Sequence, residues 1–170
     1  MRFELNFCPR CGHLLEDREA FGRIRRVCPA CGFVFFRDHK IAVGALIERD
    51  GHVLLARRAV TPQKGKWALP AGYMDYGETP EDALRREVKE ETGLDITVGD
   101  VLSVFPLDNP DARGVIIIYW AQTNTGEPRA DDDVSEVAWF APDELPEDLA
   151  FESTRQALAL WRTRCLDASR

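Results

Sequence analysis

No run of about 18 apolar residues occurs anywhere in this chain, which excludes a membrane-spanning helix. Its start, MRFELNFCPR, has no apolar core of the kind a signal peptide needs. The expected location is therefore the cytoplasm, where thiols stay reduced. Internal repeats and low-complexity segments are missing too, so nothing suggests a repeat array. Basic residues are in deficit: 22 Lys and Arg face 29 Asp and Glu, a net charge of −7. The deficit is uneven. Residues 1–40 hold eight basic residues against five acidic ones, and residues 41–170 hold 14 against 24. An acidic body argues against broad nucleic-acid binding. It also means that an anionic substrate needs a metal ion to approach. Neither a membrane nor a nucleic acid is an expected partner.

The composition that remains is globular, with 45 % hydrophobic residues. A chain of 170 residues has room for one ordinary domain and a small appendage. The appendage is marked by cysteine. Four of the five cysteines form CPRC (Cys8, Cys11) and CPAC (Cys28, Cys31), and each knuckle is followed by a glycine, Gly12 or Gly32. Paired CxxC knuckles at this spacing point to a structural Zn²⁺ held by Cys8, Cys11, Cys28 and Cys31. Disulfides are the alternative, weakened by the missing secretion signal. The segment resembles a zinc ribbon, too small to fold on apolar burial alone, so metal binding would supply most of its stability. With four thiolates at hand, neither His13 nor His39 is needed as a ligand, and Cys165 reads as structural. Arg23, Arg25 and Arg26 read as a solvated face of the ribbon.

Chemistry is concentrated in residues 72–94, GYMDYGETPEDALRREVKEETGL. Thr79 suits an N-cap, Pro80 the first helical position, Asp82 a capping box and Gly93 a C-terminal stop. The helix so bounded puts Glu87, Glu90 and Glu91 at i, i+3 and i+4 on one face. Three carboxylates on one face repel one another, and a divalent cation removes that cost. A salt-bridged surface helix is the bland reading, but it accounts for neither Gly72 nor Glu78. The loop before the helix, LPAGYMDYGE, has the Gly and Pro content that lets backbone approach a ligand.

This stretch matches GX5EX7REUXEEXGU, with U aliphatic, at every defined position, and the chain therefore resembles the Nudix hydrolases. The surrounding phrases GALIERDGHVLLARR, WALPAG and EVAWFAPDELP extend the resemblance over residues 41–165. It implies an α/β fold, the Nudix α/β/α sandwich with a mixed sheet, preceded by the zinc ribbon. The expected domains are 1–38 and 39–170. Implied activity is metal-dependent hydrolysis of a nucleoside diphosphate linked to another group. By the same resemblance Glu87, Glu90 and Glu91 ligate Mg²⁺ or Mn²⁺, the Gly72 carbonyl adds a ligand, and Glu78 pairs with Arg86. The general base is either Glu91 or a loop acid before Val137, with Glu136 the candidate in DDDVSE. Arg57, Tyr73, Tyr76 and Phe105 are the candidate substrate contacts, the rings suiting a flat base or flavin. A homodimer is expected.

Substrate cues lie outside the box. The SQPWPFPxS phrase of NADH pyrophosphatases is missing, and residues 103–108 read SVFPLD. Pro110, 16 positions past Leu94, and the closing phrase LAFESTRQAL favour ADP-ribose or FAD. NADH, a nucleoside triphosphate, or a nucleotide-sugar-sensing or nucleic-acid-binding regulator are the alternatives.

Around the box, strands are expected at 23–27, 33–36, 41–48, 52–57, 96–105, 115–122 and 134–140. Asp50-Gly51 should turn a hairpin. The apolar run 115–120 should be buried on both faces. A helical turn is expected at 142–145 and a closing helix at 154–164.

Overall fold

The computed structural model describes residues 5–107, 113–123 and 125–168. It divides into two units, Met1–His39 and Lys40–Arg170. Pro110 lies outside the described residues.

In the first unit, glycine lets the chain fold back on cysteine. Gly12 and Gly32 sit at φ 75° and 70°, a region that penalises any side chain. The Gly12 N–H donates to the Cys8 carbonyl at 2.8 Å, and the Gly32 N–H to the Cys28 carbonyl at 3.0 Å. The two knuckles are thus copies of one another. Strands β1 (Glu16–Ala20), β2 (Arg23–Val27) and β3 (Val34–Phe35) form an antiparallel sheet in that order. The sequence gives no sign of β1, because EDREA lacks β-branched and aromatic residues. Its pairing with β2 across the Phe21-Gly22 turn, both at positive φ, overrides propensity.

The apolar cluster of this unit is Cys8, Leu15 and Cys28, with Leu5 and Phe33 against it. So small a core does not hold a fold alone. The four sulfurs supply the rest. Cys8 and Cys31 lie 3.6 Å apart, and Cys11 lies 3.5 Å from both Cys28 and Cys31. A disulfide requires about 2.05 Å. Four sulfurs bound at about 2.3 Å to one tetrahedral zinc ion stand roughly 3.8 Å apart, so the arrangement fits Zn²⁺. Burial pushes the Cys28 thiol up, but N–H groups of Cys31 and Ala30 outweigh it and bring the group down to about 6. Cys11 of the same cluster goes the other way: the His13 N–H draws it down, but contacts with Cys28 and Cys31 outweigh that and push it up to about 12, so without a metal the sulfurs share protons that a bound ion would displace.

The second unit starts from a hairpin. Asp50 and Gly51, at φ 52° and 74°, give the twist that joins β4 (Lys40–Arg49) to β5 (His52–Arg58). Later come β6 (Trp67–Ala68), β7 (Ala71–Tyr73), helix α1 (Pro80–Thr92), β8 (Thr97–Pro106), β9 (Gly114–Gln122), β10 (Val134–Phe140) and helix α2 (Glu152–Ala168). The strand order is β10-β5-β4-β9-β8, with β6 on β5 and β7 on β4. The β4–β9 pair is parallel and the others antiparallel, so the sheet is mixed.

Strand alternation then builds two cores. Val43, Ala45 and Ile47 of β4 pack with Leu84 and Val88 of α1 on one face. Leu46 packs with Leu158 and Trp161 of α2 on the other. In β9, Ile118 and Tyr119 are both buried and belong to opposite faces, but Val115 at the strand's start is 37 % exposed, so the apolar run is buried on both faces only in its middle. The layers are helix, sheet, helix. The expected helical turn at 142–145 is only a turn, closed by the Glu144 N–H on the Ala141 carbonyl at 3.1 Å. Part of the expected loop is strand β7, whose Gly72 pairs with Val43.

Purified protein should contain about one zinc per chain. Cys28→Ser should release it and unfold the first unit while the second keeps its thermal transition. Elemental analysis with calorimetry checks this, and a zinc-free protein with intact disulfides by mass spectrometry would contradict it.

Candidate active site

Helix α1 is held at both ends. Thr79 Oγ1 accepts from the Asp82 N–H at 3.2 Å, and Gly93, at φ 71°, donates to the Lys89 carbonyl at 2.9 Å. Leu84 and Val88 define the buried stripe. One turn further along it comes Glu91, which is only 4 % exposed. A carboxylate has taken the place of an apolar core residue.

Arg86 organises the box. Its Nε and Nη2 donate to the two oxygens of Glu78 at 2.7 and 2.9 Å. Nη1 donates to Glu87 at 2.7 Å and to Glu90 at 3.1 Å, and Nη2 also to the Tyr73 carbonyl at 3.1 Å. The Glu78–Arg86 pair implied by the resemblance is thus present. Arg86, with help from the Asp75 N–H, holds Glu78 down at about 2. Burial pushes Glu87 up, and Arg86 opposes it.

Glu91 has a different environment. The Ala71 N–H donates to its Oε2 at 3.0 Å. Burial, and then the charge of Asp133, push its pKa up to about 9, so in the absence of a cation it holds a proton at neutral pH. Gly72 explains its own identity. A Cβ built on it would stand 2.0 Å from the Glu87 carboxyl carbon. Any side chain there would push that carboxylate aside.

The three glutamates do not close on one point. Glu87 and Glu90 turn to Arg86, while Glu91 turns to the Ala71 N–H and Asp133. A mutually repelling set of hard oxygen donors, running from buried Glu91 to exposed Glu90, nevertheless suits Mg²⁺ or Mn²⁺. Such an ion would compete with Arg86 for Glu87 and Glu90.

Asp133 had no distinguishing mark within the acidic run 131–133. Its position depends on the end of α1. The Glu91 and Thr92 carbonyls, orphaned there, accept from the N–H groups of Asp131 and Arg129 at 3.2 and 2.9 Å. That docking brings Asp133 to Glu91. Glu136 of the same region is instead paired with Arg57 at 3.2 Å, both half-exposed.

A cavity of about 360 Å³ adjoins the carboxylates, sharing Gly72 and Asp133 with them. Leu69, Ile116 and Ile118 give it apolar walls, and Tyr73 and Phe151 contribute rings. Of the four expected substrate contacts, Tyr73 alone lines it. Arg58 replaces Arg57, because neighbouring strand residues face opposite ways. Arg57 donates to the Gly65 carbonyl at 2.7 Å, whereas Arg58 lies 5.3 Å over the Phe151 ring. Phe105 packs into the core on the α2 side, and Tyr76 stands fully exposed on the loop.

Three outcomes follow from this geometry. Gly72→Ala should fold with little change in Tm yet weaken Mn²⁺ binding about 10–100-fold, since it displaces the Glu87 carboxylate, a candidate ligand, without touching the core. Isothermal titration and calorimetry together check both halves. Between Glu91's ordinary range near 4.5 and about 9, the folded state keeps a proton that the unfolded state has lost. Stability of the metal-free protein should therefore fall as pH rises through that window, by at most about 1.4 kcal/mol per pH unit. Saturating Mn²⁺ should raise Tm more at about pH 8 than at about pH 6, because the ion displaces that proton.

Comparison with known proteins gives the family. The NUDIX domain model matches residues 38–161. The ADP-ribose pyrophosphatase of Methanocaldococcus jannaschii is 41 % identical over 114 residues, covering 66 % of this chain and 67 % of that one. The NAD-capped RNA hydrolase NudC of Vibrio vulnificus is 28 % identical over 146 residues, covering 84 % of this chain, which spans about half (53 %) of that protein's length. A crystal structure of a NUDIX hydrolase from Nitrosomonas europaea superposes with a TM-score of 0.87 at 29 % identity, over 94 % of this chain and 92 % of that one. The chain therefore belongs to the NUDIX family and is a Nudix pyrophosphohydrolase, an enzyme that cleaves phosphorus-containing anhydrides.

Proposed function

We propose that the enzyme hydrolyses the diphosphate of ADP-ribose or FAD, giving AMP and a phosphorylated partner. The observation that carries this reading is the cavity that adjoins Glu87 and Glu91 through Gly72 and Asp133. A flat base held between apolar walls and the Tyr73 and Phe151 rings would present its diphosphate to the carboxylates. Likeness to an ADP-ribose pyrophosphatase at 41 % identity supports the same choice.

Each residue then has a role. Glu87, Glu90 and Glu91 hold Mg²⁺ or Mn²⁺, which when bound neutralises phosphate charge and acidifies water. Gly72 keeps space for the Glu87 carboxylate. Arg86 orients Glu87 and Glu90, and Glu78 fixes Arg86 to the loop. The proton of the attacking water goes to the Glu91–Asp133 pair rather than to Glu136, which Arg57 engages. The four cysteines hold a structural Zn²⁺, because a tetrathiolate leaves no open coordination position. A tetrathiolate also fits a reducing, cytoplasmic setting. A homodimer is part of this proposal.

NADH or an NAD-linked substrate is the second reading. The alignment with the NAD-capped RNA hydrolase is longer than the Lys40–Arg170 unit, so it reaches into the cysteine unit. A side-by-side kcat/KM panel of ADP-ribose, FAD, NADH, diadenosine polyphosphates and nucleoside triphosphates, at fixed Mn²⁺, decides between them. ADP-ribose or FAD should lead by about tenfold, a discrimination that one or two pocket contacts supply. A lead of that size for NADH or a triphosphate would overturn the substrate while leaving the metal chemistry standing.

A further inference from the structure

The cysteine unit has a cavity of its own, also about 360 Å³, with a lining unlike that of the cavity beside the carboxylates. Arg23, Arg25, Arg26 and Arg37 line it together with Phe35 and Phe36, and Asp17 is the one acid in that lining. Arg25 lies beside two rings, 5.0 Å from the centre of Phe36 and 6.0 Å from that of Phe21. The rings themselves lie 5.6 Å apart. Carbonyls of Ala20 and Phe21 anchor the guanidinium. Both are neutral, so they fix the position of the charge without cancelling it.

Folding accounts for Arg26, which pairs with Asp17 at 3.4 Å and donates to Asn6 Oδ1 at 3.1 Å, but not for the exposed rings beside Arg23 and Arg25. Phe21 is 76 % exposed, Ile24 69 % and Phe36 48 %, so little of their apolar surface leaves water. In the ladder Arg18 stands directly opposite Arg25, a like-charge pair that costs stability. Arg18 is offset by Glu16 at 2.7 Å, and Arg25 has its two carbonyls. A small anion would explain the arginines but not the exposed rings. An apolar peptide would explain the rings but not the arginines. A chain of phosphates carrying unstacked bases uses both, since phosphates meet guanidinium groups and bases stack on aromatic faces. Duplex nucleic acid keeps its bases inside and leaves the rings unused. Residues 41–170, with 14 basic residues against 24 acidic, repel such a ligand, whereas residues 1–40 carry a basic excess.

We propose that the arginine–phenylalanine face of the first unit binds a single-stranded polynucleotide. This is separate from hydrolysis at the carboxylates and does not depend on which diphosphate is cleaved there.

The full-length protein is titrated into fluorescein-labelled single-stranded RNA, single-stranded DNA of the same sequence, the matching duplex and an acidic peptide, read by anisotropy. Saturable binding to a single strand is expected, with the two strands telling RNA from DNA. Its logarithm should fall with log salt at a slope of about −1.4 to −2, the share of two or three phosphates at about −0.7 each. Phe36→Ala should weaken binding about fivefold or more, the loss of one stacked base. Arg23→Glu, exposed at the start of β2, should weaken it about tenfold by removing one phosphate contact and adding a repulsion. Both variants should keep their zinc and their diphosphate turnover. If Phe36→Ala sheds zinc, Arg23→Glu alone decides. Absence of saturable binding, binding untouched by Arg23→Glu, or equal affinity for the duplex or for an acidic peptide would overturn the proposal.

Discussion

Every N–H donor of the Arg86 guanidinium is occupied: two by Glu78, one each by Glu87 and Glu90, and one by the Tyr73 carbonyl. An arginine has five such donors in a fixed planar fork, so their joint use leaves it one position. Through it the loop before α1 and the face of α1 become a single piece. Isolated surface ion pairs contribute little. This one is bidentate, partly buried and tied to a backbone carbonyl, and the positions of Glu87 and Glu90 depend on it. Lysine at this place would keep the charge and lose the fork.

The second constraint works against stability. The stripe of α1 that buries Leu84 and Val88 also buries Glu91, under Ala71 and beside Asp133. A carboxyl group buried beside a second carboxylate keeps its proton unless a cation arrives. The apolar core on both faces of the sheet supplies the stability that lets this cost be carried. Gly72 belongs to the same economy of space, since it leaves room for a carboxylate where a methyl group would stand. Metal affinity, pH response and folding stability are therefore one linked quantity.

The two units solve different problems with different chemistry. In the first, four sulfurs replace a core that 39 residues do not build, and charge and rings are left on its surface. In the second, a two-sided sheet buries enough apolar surface to carry strained electrostatics. Their charge balances differ in sign, so the ligands each attracts differ as well.

Local spacing alone specified a good deal. The bounds of α1 follow from Thr79, Pro80 and Gly93, and the hairpin from Asp50-Gly51, because capping and turn geometry are decided by a few adjacent residues. The cysteine knuckles and the one-face spacing of Glu87, Glu90 and Glu91 are likewise periodic facts that any reader of the chain can extract. Strand β1 was not visible, since EDREA pairs only because β2 lies beside it. Nor was Asp133 distinguishable from Asp131, Asp132 or Glu136, because its role depends on carbonyls at the end of α1 some 40 positions earlier in the chain. That Arg58 rather than Arg57, and Tyr73 rather than Tyr76 or Phe105, lines the cavity depends on which face of a strand or loop meets it. The sequence by itself determined which helix carries the carboxylates and which residues bound it. Only the tertiary structure decided their neighbours, their protonation and the walls of the cavity, because burial and contact between distant segments exist only once the sheet has closed.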